Sequence, residues 1–432
     1  MNKFYVQNFG CRATQADGSA LETLLAARGM ASSPERRHAD LVVLNTCTVT
    51  SAADDDVRHT IRRVNRENPV ARILVTGCYA QRAPEELASL PGVEWVVGNS
   101  HKTAIPEIVT GTQYHGNIQV GDIFEQHEFL SAPVEDAMGD RTRPNLKIQD
   151  GCNNRCSFCI IPYVRGRSRS MPAAQVMEQV RALSGKYKEV VLSGINLGRW
   201  GREPGSSLRL ADLVRLLLQE TGVARLRLSS VEPMDFSDDL LGLMAESPRI
   251  AKHVHAPLQS GSDTVLRRMH RKYRPRHYAD RILKAREWMP DAGIGADVMV
   301  GFPGETNDEF EQSRAFIASL PFTYLHVFTY SGRPGTPASE RRDQVPMPIR
   351  KERNRILREL AARKNLAFRD SMVGRTLSVV TLEEGALSEN YLKVDLSLPA
   401  PPNTVRDVRI GGVTESGLHE ARPLNVLVSR PQ

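Results

Sequence analysis

Gly151-Cys152-Asn153-Asn154-Arg155-Cys156-Ser157-Phe158-Cys159 places three thiols on one short loop, in a C-x3-C-x2-C spacing. Structural zinc wants four ligands, usually from C-x2-C pairs, and no further Cys or His follows closely. Three thiolates instead suit three corners of a 4Fe-4S cluster, with one iron left open for a small molecule. The loop follows a strand candidate, 145–149. Five more recur between helical patterns at 189–193, 225–229, 253–257, 295–300 and 324–329. Six such units predict a full or partial (β/α) barrel, in which reactive groups sit at the carboxyl ends of the strands. The spacing and its place in the barrel fit a cluster whose open iron chelates S-adenosylmethionine (SAM).

Upstream, strand candidates at 3–7, 40–45, 72–76 and 93–97 alternate with helices, which implies a parallel, doubly wound sheet. A helix over 17–28 is expected to start at a capping box of Ser19 and Glu22 and to stop at Gly29. A second helix, 51–67, buries Val57, Ile61 and Val64. It carries Asp54, Asp55 and Asp56 in its first turn, where they complement the helix dipole. Cys11, Cys47 and Cys78 are scattered, yet each closes a predicted strand. The carboxyl ends of parallel strands share one edge, so the three thiols should converge and could hold a second cluster with an open iron. The alternative is three unrelated buried cysteines.

Downstream, Gly301-Phe302-Pro303-Gly304 lacks the Gly-Lys-Ser/Thr ending of a phosphate loop and reads as a tight turn before a Thr306/Glu309 capping box. Residues 350–369 form a basic helix. From about 374 the pattern changes to short β segments with turns, as in a small antiparallel barrel. The expected fold class is α/β. An N-terminal doubly wound parallel sheet domain (1–115) is followed by a linker (116–143), a central partial (β/α) barrel (144–370) and a small C-terminal β-barrel (371–432).

The 432 residues suit about three domains. With 41% hydrophobic and 25% charged residues, the chain is not a disordered one. No apolar run approaches the ~18 residues of a membrane span. The polar start is no signal peptide. A cytoplasmic protein with reduced thiols is expected. The net charge of +7 is uneven. Segment 333–375 has twelve Lys/Arg against five acids, and segment 267–286 has nine against Asp280 alone. Two such clusters are the footprint of a nucleic-acid partner; the competing reading is a solvated helix face.

These residues resemble the radical-SAM methylthiotransferases, in family order over nearly the whole chain. The resemblance rests on both cysteine triads and on the strand-end motifs Ser193-Gly194-Ile195-Asn196, Pro257-Leu258-Gln259-Ser260-Gly261-Ser262 and Val300-Gly301-Phe302-Pro303-Gly304-Glu305-Thr306. It extends to Tyr330-Ser331-Gly332-Arg333-Pro334-Gly335-Thr336-Pro337-Ala338. It implies two 4Fe-4S clusters, an auxiliary one on Cys11, Cys47 and Cys78 and a SAM-binding one on Cys152, Cys156 and Cys159. It implies SAM contacts from the Phe158 backbone, Ser193, Gly194, Asn196 and Gln259, and a TRAM-like RNA-binding barrel at the C-terminus. Asn45-Thr46-Cys47-Thr48-Val49-Thr50, Val75-Thr76-Gly77-Cys78-Tyr79-Ala80-Gln81, Arg227-Leu228-Ser229-Ser230-Val231-Glu232-Pro233 and Glu389-Asn390-Tyr391 look most like the branch acting on threonylcarbamoyl-adenosine in tRNA. Other branches act on isopentenyl-adenosine in tRNA or on a ribosomal-protein aspartate. Where the family often has Asn three residues after the first cysteine, this chain has Thr14.

The implied chemistry replaces an adenine C–H with C–S–CH3, a step that belongs to the cofactors rather than to side-chain acids or bases. The implied partners are a tRNA anticodon loop, whose bases can be splayed out and read, and an electron donor such as a flavodoxin or ferredoxin, with no membrane. Arg353, Arg355 and Arg358 are expected to touch phosphate. A reading from another class is a non-catalytic iron–sulfur RNA-binding protein or redox sensor.

Overall fold

The computed structural model describes residues 1–111, 116–126, 129–130 and 142–421, so part of the expected linker lies outside the described residues. Strands β1 (Lys3–Asn8), β2 (Ala31–Ser32), β3 (Leu41–Thr46), β4 (Arg72–Gly77), β5 (Val93–Gly98) and β6 (Ile118–Gln119) form one parallel sheet in the order β2-β1-β3-β4-β5-β6. Central β3 is buried along its whole length because helices cover both faces of the sheet. Helix α1 (Arg12–Ala26) sets Leu21 and Leu25 against Leu41 and Val43. Helix α2 (Ser51–Glu67) sets Val57, Ile61 and Val64 against Val42 and Leu44 on the other face.

Helix α1 starts earlier than the sequence suggests. Cys11 is its N-cap, and Ser19 lies mid-helix, donating back to the Gln15 carbonyl at 3.3 Å. The turn that leaves β1 delivers the chain directly into the helix, and this tertiary constraint overrides the local Ser–Glu cap signal.

The central unit contains β7 (Asn145–Asp150), β8 (Arg169–Ser170), β9 (Glu189–Gly194), β10 (Arg225–Leu228), β11 (His253–His255), β12 (Gly293–Val300) and β13 (Tyr324–Thr329). The ladders β10-β9-β7-β8 and β11-β12-β13 meet where Leu226 bridges Ile250, and all pairs are parallel except β7–β8. The result is an open partial barrel. Val254, Ala296 and Val298 on one strand face join the core beneath the helices, while His255, Asp297 and His326 gather on the other. A Cβ at Gly295 would lie 2.0 Å from the Tyr324 ring, so glycine lets that ring cross β12.

The 24-residue helix Met347–Asp370 packs along β13 and leads to a closed five-stranded barrel, β14 (Thr376–Thr381), β15 (Ala386–Ser388), β16 (Lys393–Asp395), β17 (Val405–Val413) and β18 (Leu418–Glu420), in the order β14-β15-β16-β18-β17. This barrel docks at the amino ends of the central strands. Buried Arg227 pairs with Glu189 at 2.7 Å and donates to the carbonyls of Ser388 and Glu389 at 3.0 and 3.2 Å. Asn390 reaches the Asp291 carbonyl at 3.0 Å.

Candidate active site

Strands β1, β3 and β4 are neighbours in register, with Asn8 opposite Asn45 and Thr46 opposite Gly77. Their following residues, Cys11, Cys47 and Cys78, therefore leave the same sheet edge. Gly10, at φ +92°, lies so close to Cys47 that a Cβ there would come within 2.8 Å of its Sγ. Cys47 and Cys78 are buried and Cys11 is exposed. Burial, with Cys78 and Cys11 nearby, pushes the Cys47 thiol up to about 12. Asn99 Nδ2 lies 3.7 Å from Cys78 Sγ, and the Thr14 hydroxyl 3.5 Å from Cys11 Sγ. Thr14 thus keeps a polar contact with the first cysteine.

Beneath this triad lies a buried charge network that the sequence did not reveal. Asp17 binds Lys102 and Arg165 at 3.0 Å each and also Lys147. Asp150 binds Lys147 at 2.8 Å and Arg165 at 3.0 Å. Burial alone would raise the Asp17 carboxyl, but Lys102, Lys147 and Arg165 together hold it well below the ordinary carboxylate range. With Arg169 3.7 Å from Asp150, four cations face two carboxylates here. Arg165 also feels the charges of Cys78 and Cys11. Buried charge needs an opposite partner, and an anionic thiolate-bound group would complete the set. Apart from Lys147 and Asp150, three residues apart on β7, no local pattern links these positions; the packing of α1, β7 and the short helices Asn99–Ala104 and Ile161–Arg165 brings them together.

The second triad is held on a braced loop. Cys152 N donates to Gly166 O at 3.1 Å, Ser157 N to Met269 O at 3.1 Å, and Ala338 N to Ser157 O at 2.8 Å. Gly151 has φ +67°, and a Cβ there would lie 2.0 Å from Arg167 O. Burial pushes the Cys159 thiol up to about 12 and raises Cys152 as well. Donors point at the sulfurs. Asn154 N is 3.4 Å and Asn196 Nδ2 3.7 Å from Cys152 Sγ, and Arg271 Nη1 is 3.3 Å from Cys156 Sγ. Arg271, itself paired with Glu232, is a contact that the sequence reading missed; the density of bases in 267–286 was its only signal.

The structure brings Asn196 to the cysteine loop, with its backbone N–H donating to Gln149 Oε1 at 2.6 Å. Gly194 lies against the same Gln149 side chain. Ser193 Oγ, Asn196 Oδ1 and Ser229 Oγ are buried without a hydrogen-bond partner. Phe158 meets Phe302 edge to face, with ring centroids 6.5 Å apart. Gln259 belongs to the β11–β12 wall. It has φ +63°, with its amide donating to Asp297 O and its carbonyl accepting from Met299 N, both at 2.8 Å. A non-glycine residue held in this region is a recurring mark of a functional site.

The residues fit the implied groups. Each triad offers three unpaired thiols with N–H or O–H groups beside the sulfurs, and orphaned buried oxygens lie next to the second, where a polar cosubstrate would satisfy them. When bound, such clusters supply one-electron chemistry with an open iron site. The chain's own part would be to present deprotonated sulfur ligands, with proton release on iron binding, and to surround them with donors.

Much of the positive charge is consumed internally. In 267–286, Arg268 pairs with Glu309, Arg271 with Glu232, Arg274 with Asp263, and Arg281 and Lys284 with Asp238. In 333–375, Arg333 pairs with Asp54, which also holds Arg82, so Asp54 is a buried partner and more than a dipole ornament. Arg353 is buried against Glu305 at 2.7 Å, and Arg355 is clamped between Glu352 and Glu359. Burial takes Arg353 out of reach of phosphate, whereas the Arg355 pairs lie on the surface, where such pairs are weak. Arg358 and Lys351 remain exposed.

Residues 146–317 match the Radical SAM superfamily, and residues 3–98 match Uncharacterized protein family UPF0004. In fold, the chain is similar to the radical S-adenosylmethionine methyltransferase TsrM of Kitasatospora setae, with a TM-score of 0.59 over 78% of this chain and 75% of that one at 16% identity. This is a radical-SAM enzyme fold with a second three-thiol site. The chain is 37% identical to a threonylcarbamoyladenosine tRNA methylthiotransferase of Aquifex aeolicus over 91% of its own length and 96% of the relative's. The corresponding Bacillus subtilis enzyme is 38% identical over 89% of this chain and 88% of its own. A tRNA-2-methylthio-N(6)-dimethylallyladenosine synthase of Clostridium novyi is 33% identical over 88% and 85%. The chain belongs to the radical-SAM methylthiotransferase family.

Proposed function

We propose that this enzyme installs a methylthio group on carbon 2 of threonylcarbamoyl-adenosine beside the anticodon of tRNA. One observation carries the two-cluster chemistry: Cys78 of the first triad shares an apolar cluster with Ile160, the residue after Cys159 of the second. Two open-iron sites would then face one shared seam, as sulfur handling at one and radical generation at the other require. The substrate assignment draws on the Aquifex aeolicus and Bacillus subtilis relatives, whose identities exceed that of the dimethylallyladenosine synthase.

In this reading Cys11, Cys47 and Cys78 hold the auxiliary cluster and Cys152, Cys156 and Cys159 the SAM cluster. Phe158, Ser193, Gly194, Asn196 and Gln259 line the SAM site. A flavodoxin or ferredoxin supplies electrons, the C-terminal barrel is a TRAM-like module, and the enzyme works in the cytoplasm. No described helix is long and apolar enough to cross a membrane. Mass spectrometry of tRNA nucleosides from cells with and without the gene tests it. Methylthio-threonylcarbamoyl-adenosine should vanish on deletion. Loss of the methylthio-isopentenyl nucleoside instead would assign the sibling substrate; loss of neither would leave the ribosomal-protein aspartate or a non-catalytic role, which SAM cleavage to 5′-deoxyadenosine separates.

A further inference from the structure

Tyr324, His326 and Phe328 alternate along one face of β13, with ring centroids 5.3 and 6.5 Å apart in turn. The ladder runs from half-buried Tyr324 to Phe328, which is 49% exposed. A single exposed ring is ordinary on a protein surface, and what distinguishes Phe328 is the cavity it lines. Beside Phe328 lies a cavity of about 540 Å³ between β13, the Met347–Asp370 helix and the start of α2, within the ~300–1,000 Å³ range of ligand sites. Lys351 and Arg358 line it from the helix, seven residues apart and so on one helical face. Both are exposed and form no ion pair among the described residues, whereas Arg353 is buried against Glu305 and Arg355 lies between Glu352 and Glu359 on the surface. Asn354 ties the helix to β13 by donating to the Val327 carbonyl at 3.1 Å, which fixes the helix that carries the cations against the strand that carries the ring.

An exposed ring with two unpaired cations alongside is the chemistry that holds one unstacked nucleotide, the base on the ring and the phosphate between the cations. The C-terminal barrel offers less attraction: residues 371–432 carry six Lys/Arg against seven Asp/Glu. We propose that the groove between β13 and the Met347–Asp370 helix binds the RNA nucleotide flanking the target adenosine, with its base on Phe328 and its phosphate at Lys351 and Arg358. This rests on the tRNA reading above and adds a site to it.

The test uses full-length, cluster-loaded protein and a synthetic anticodon stem-loop carrying threonylcarbamoyl-adenosine, with affinity followed by fluorescence anisotropy at several salt concentrations. Phe328→Ala should weaken binding about tenfold and Phe328→Trp should restore it. The double variant Lys351→Ala/Arg358→Ala removes one phosphate contact and should lower the slope of log K against log salt by about 0.7, whereas Arg342→Ala, at another exposed base, should leave it unchanged. Iron content and RNA-independent SAM cleavage report that the variants are folded. Wild-type affinity and slope in both groove variants would overturn the groove. Failure of the unaltered protein to bind the RNA would overturn the groove and the tRNA reading together.

Discussion

Cys78 follows β4 directly, opening the short helix Cys78–Arg82, and shares an apolar cluster with Ile160, one residue beyond Cys159 on the barrel loop. Asn99 spans the same seam, donating to Val164 O at 2.7 Å with its amide 3.7 Å from Cys78 Sγ. The two triads are thus neighbours in space, on two units that share no strand.

That proximity still allows a division of labour. Replacing Cys152, Cys156 and Cys159 by Ala should leave about four of eight irons after anaerobic reconstitution and abolish SAM cleavage. Replacing Cys11, Cys47 and Cys78 by Ala should also halve the iron yet preserve reductive SAM cleavage, with no methylthio product. Iron analysis and chromatography of 5′-deoxyadenosine separate these outcomes; full iron in either triple variant would refute that triad's assignment.

Gly77 sets the position of Cys78. It has φ +98°, and a Cβ there would stand 2.5 Å from Thr46 O. Gly77→Ala should therefore displace the third thiol and lower iron toward the four held by the other triad. Gly29, also at positive φ but with open space around its Cβ position, is the control. Gly29→Ala should cost some stability and retain all the iron.

Arg353 belongs to the fold rather than to the RNA. Its guanidinium is buried against the Glu305 carboxylate and the Asn307 side chain. Arg353→Ala leaves Glu305 unpaired in the interior and should destabilise the protein by about 3–5 kcal/mol. Chemical denaturation measures that loss. The salt slope of RNA binding by the still-folded fraction should not change.

Glu22 provides a pH test. Burial raises its carboxyl from 4.5 to about 7. A carboxyl raised by folding leaves stability intact below about pH 4.5, erodes it as pH rises to about 7, and has no further effect above that. Glu22→Gln removes the penalty. The variant should match the parent in Tm at pH 4.5 and exceed it at pH 8; equal Tm at both would show that the carboxyl is solvated.

The long parallel strands were legible in the sequence because apolar runs between helical patterns have few other solutions. The predicted segments at 72–76 and 324–329 reappear almost unchanged as β4 and β13. The two-residue strands β2, β6 and β8 were not legible, since so short a pairing leaves no period to read. The start of α1 was misplaced because a cap signal is local, whereas the entry into α1 is set by where β1 ends.

The sequence by itself determined the grouping of six cysteines into two triads, the barrel loop that carries three of them and the strand ends that the rest follow, because spacing on a loop and position after a strand are properties of the chain. Tertiary structure decided which charges are available. Arg165 meets Asp17 across 148 positions, Arg333 meets Asp54 across 279, and Arg353 meets Glu305 across 48. A basic segment shows its net charge in sequence, but whether each guanidinium is paired or exposed depends on which carboxylates folding brings beside it. Coulomb energy follows distance in space, and distance along the chain does not predict it.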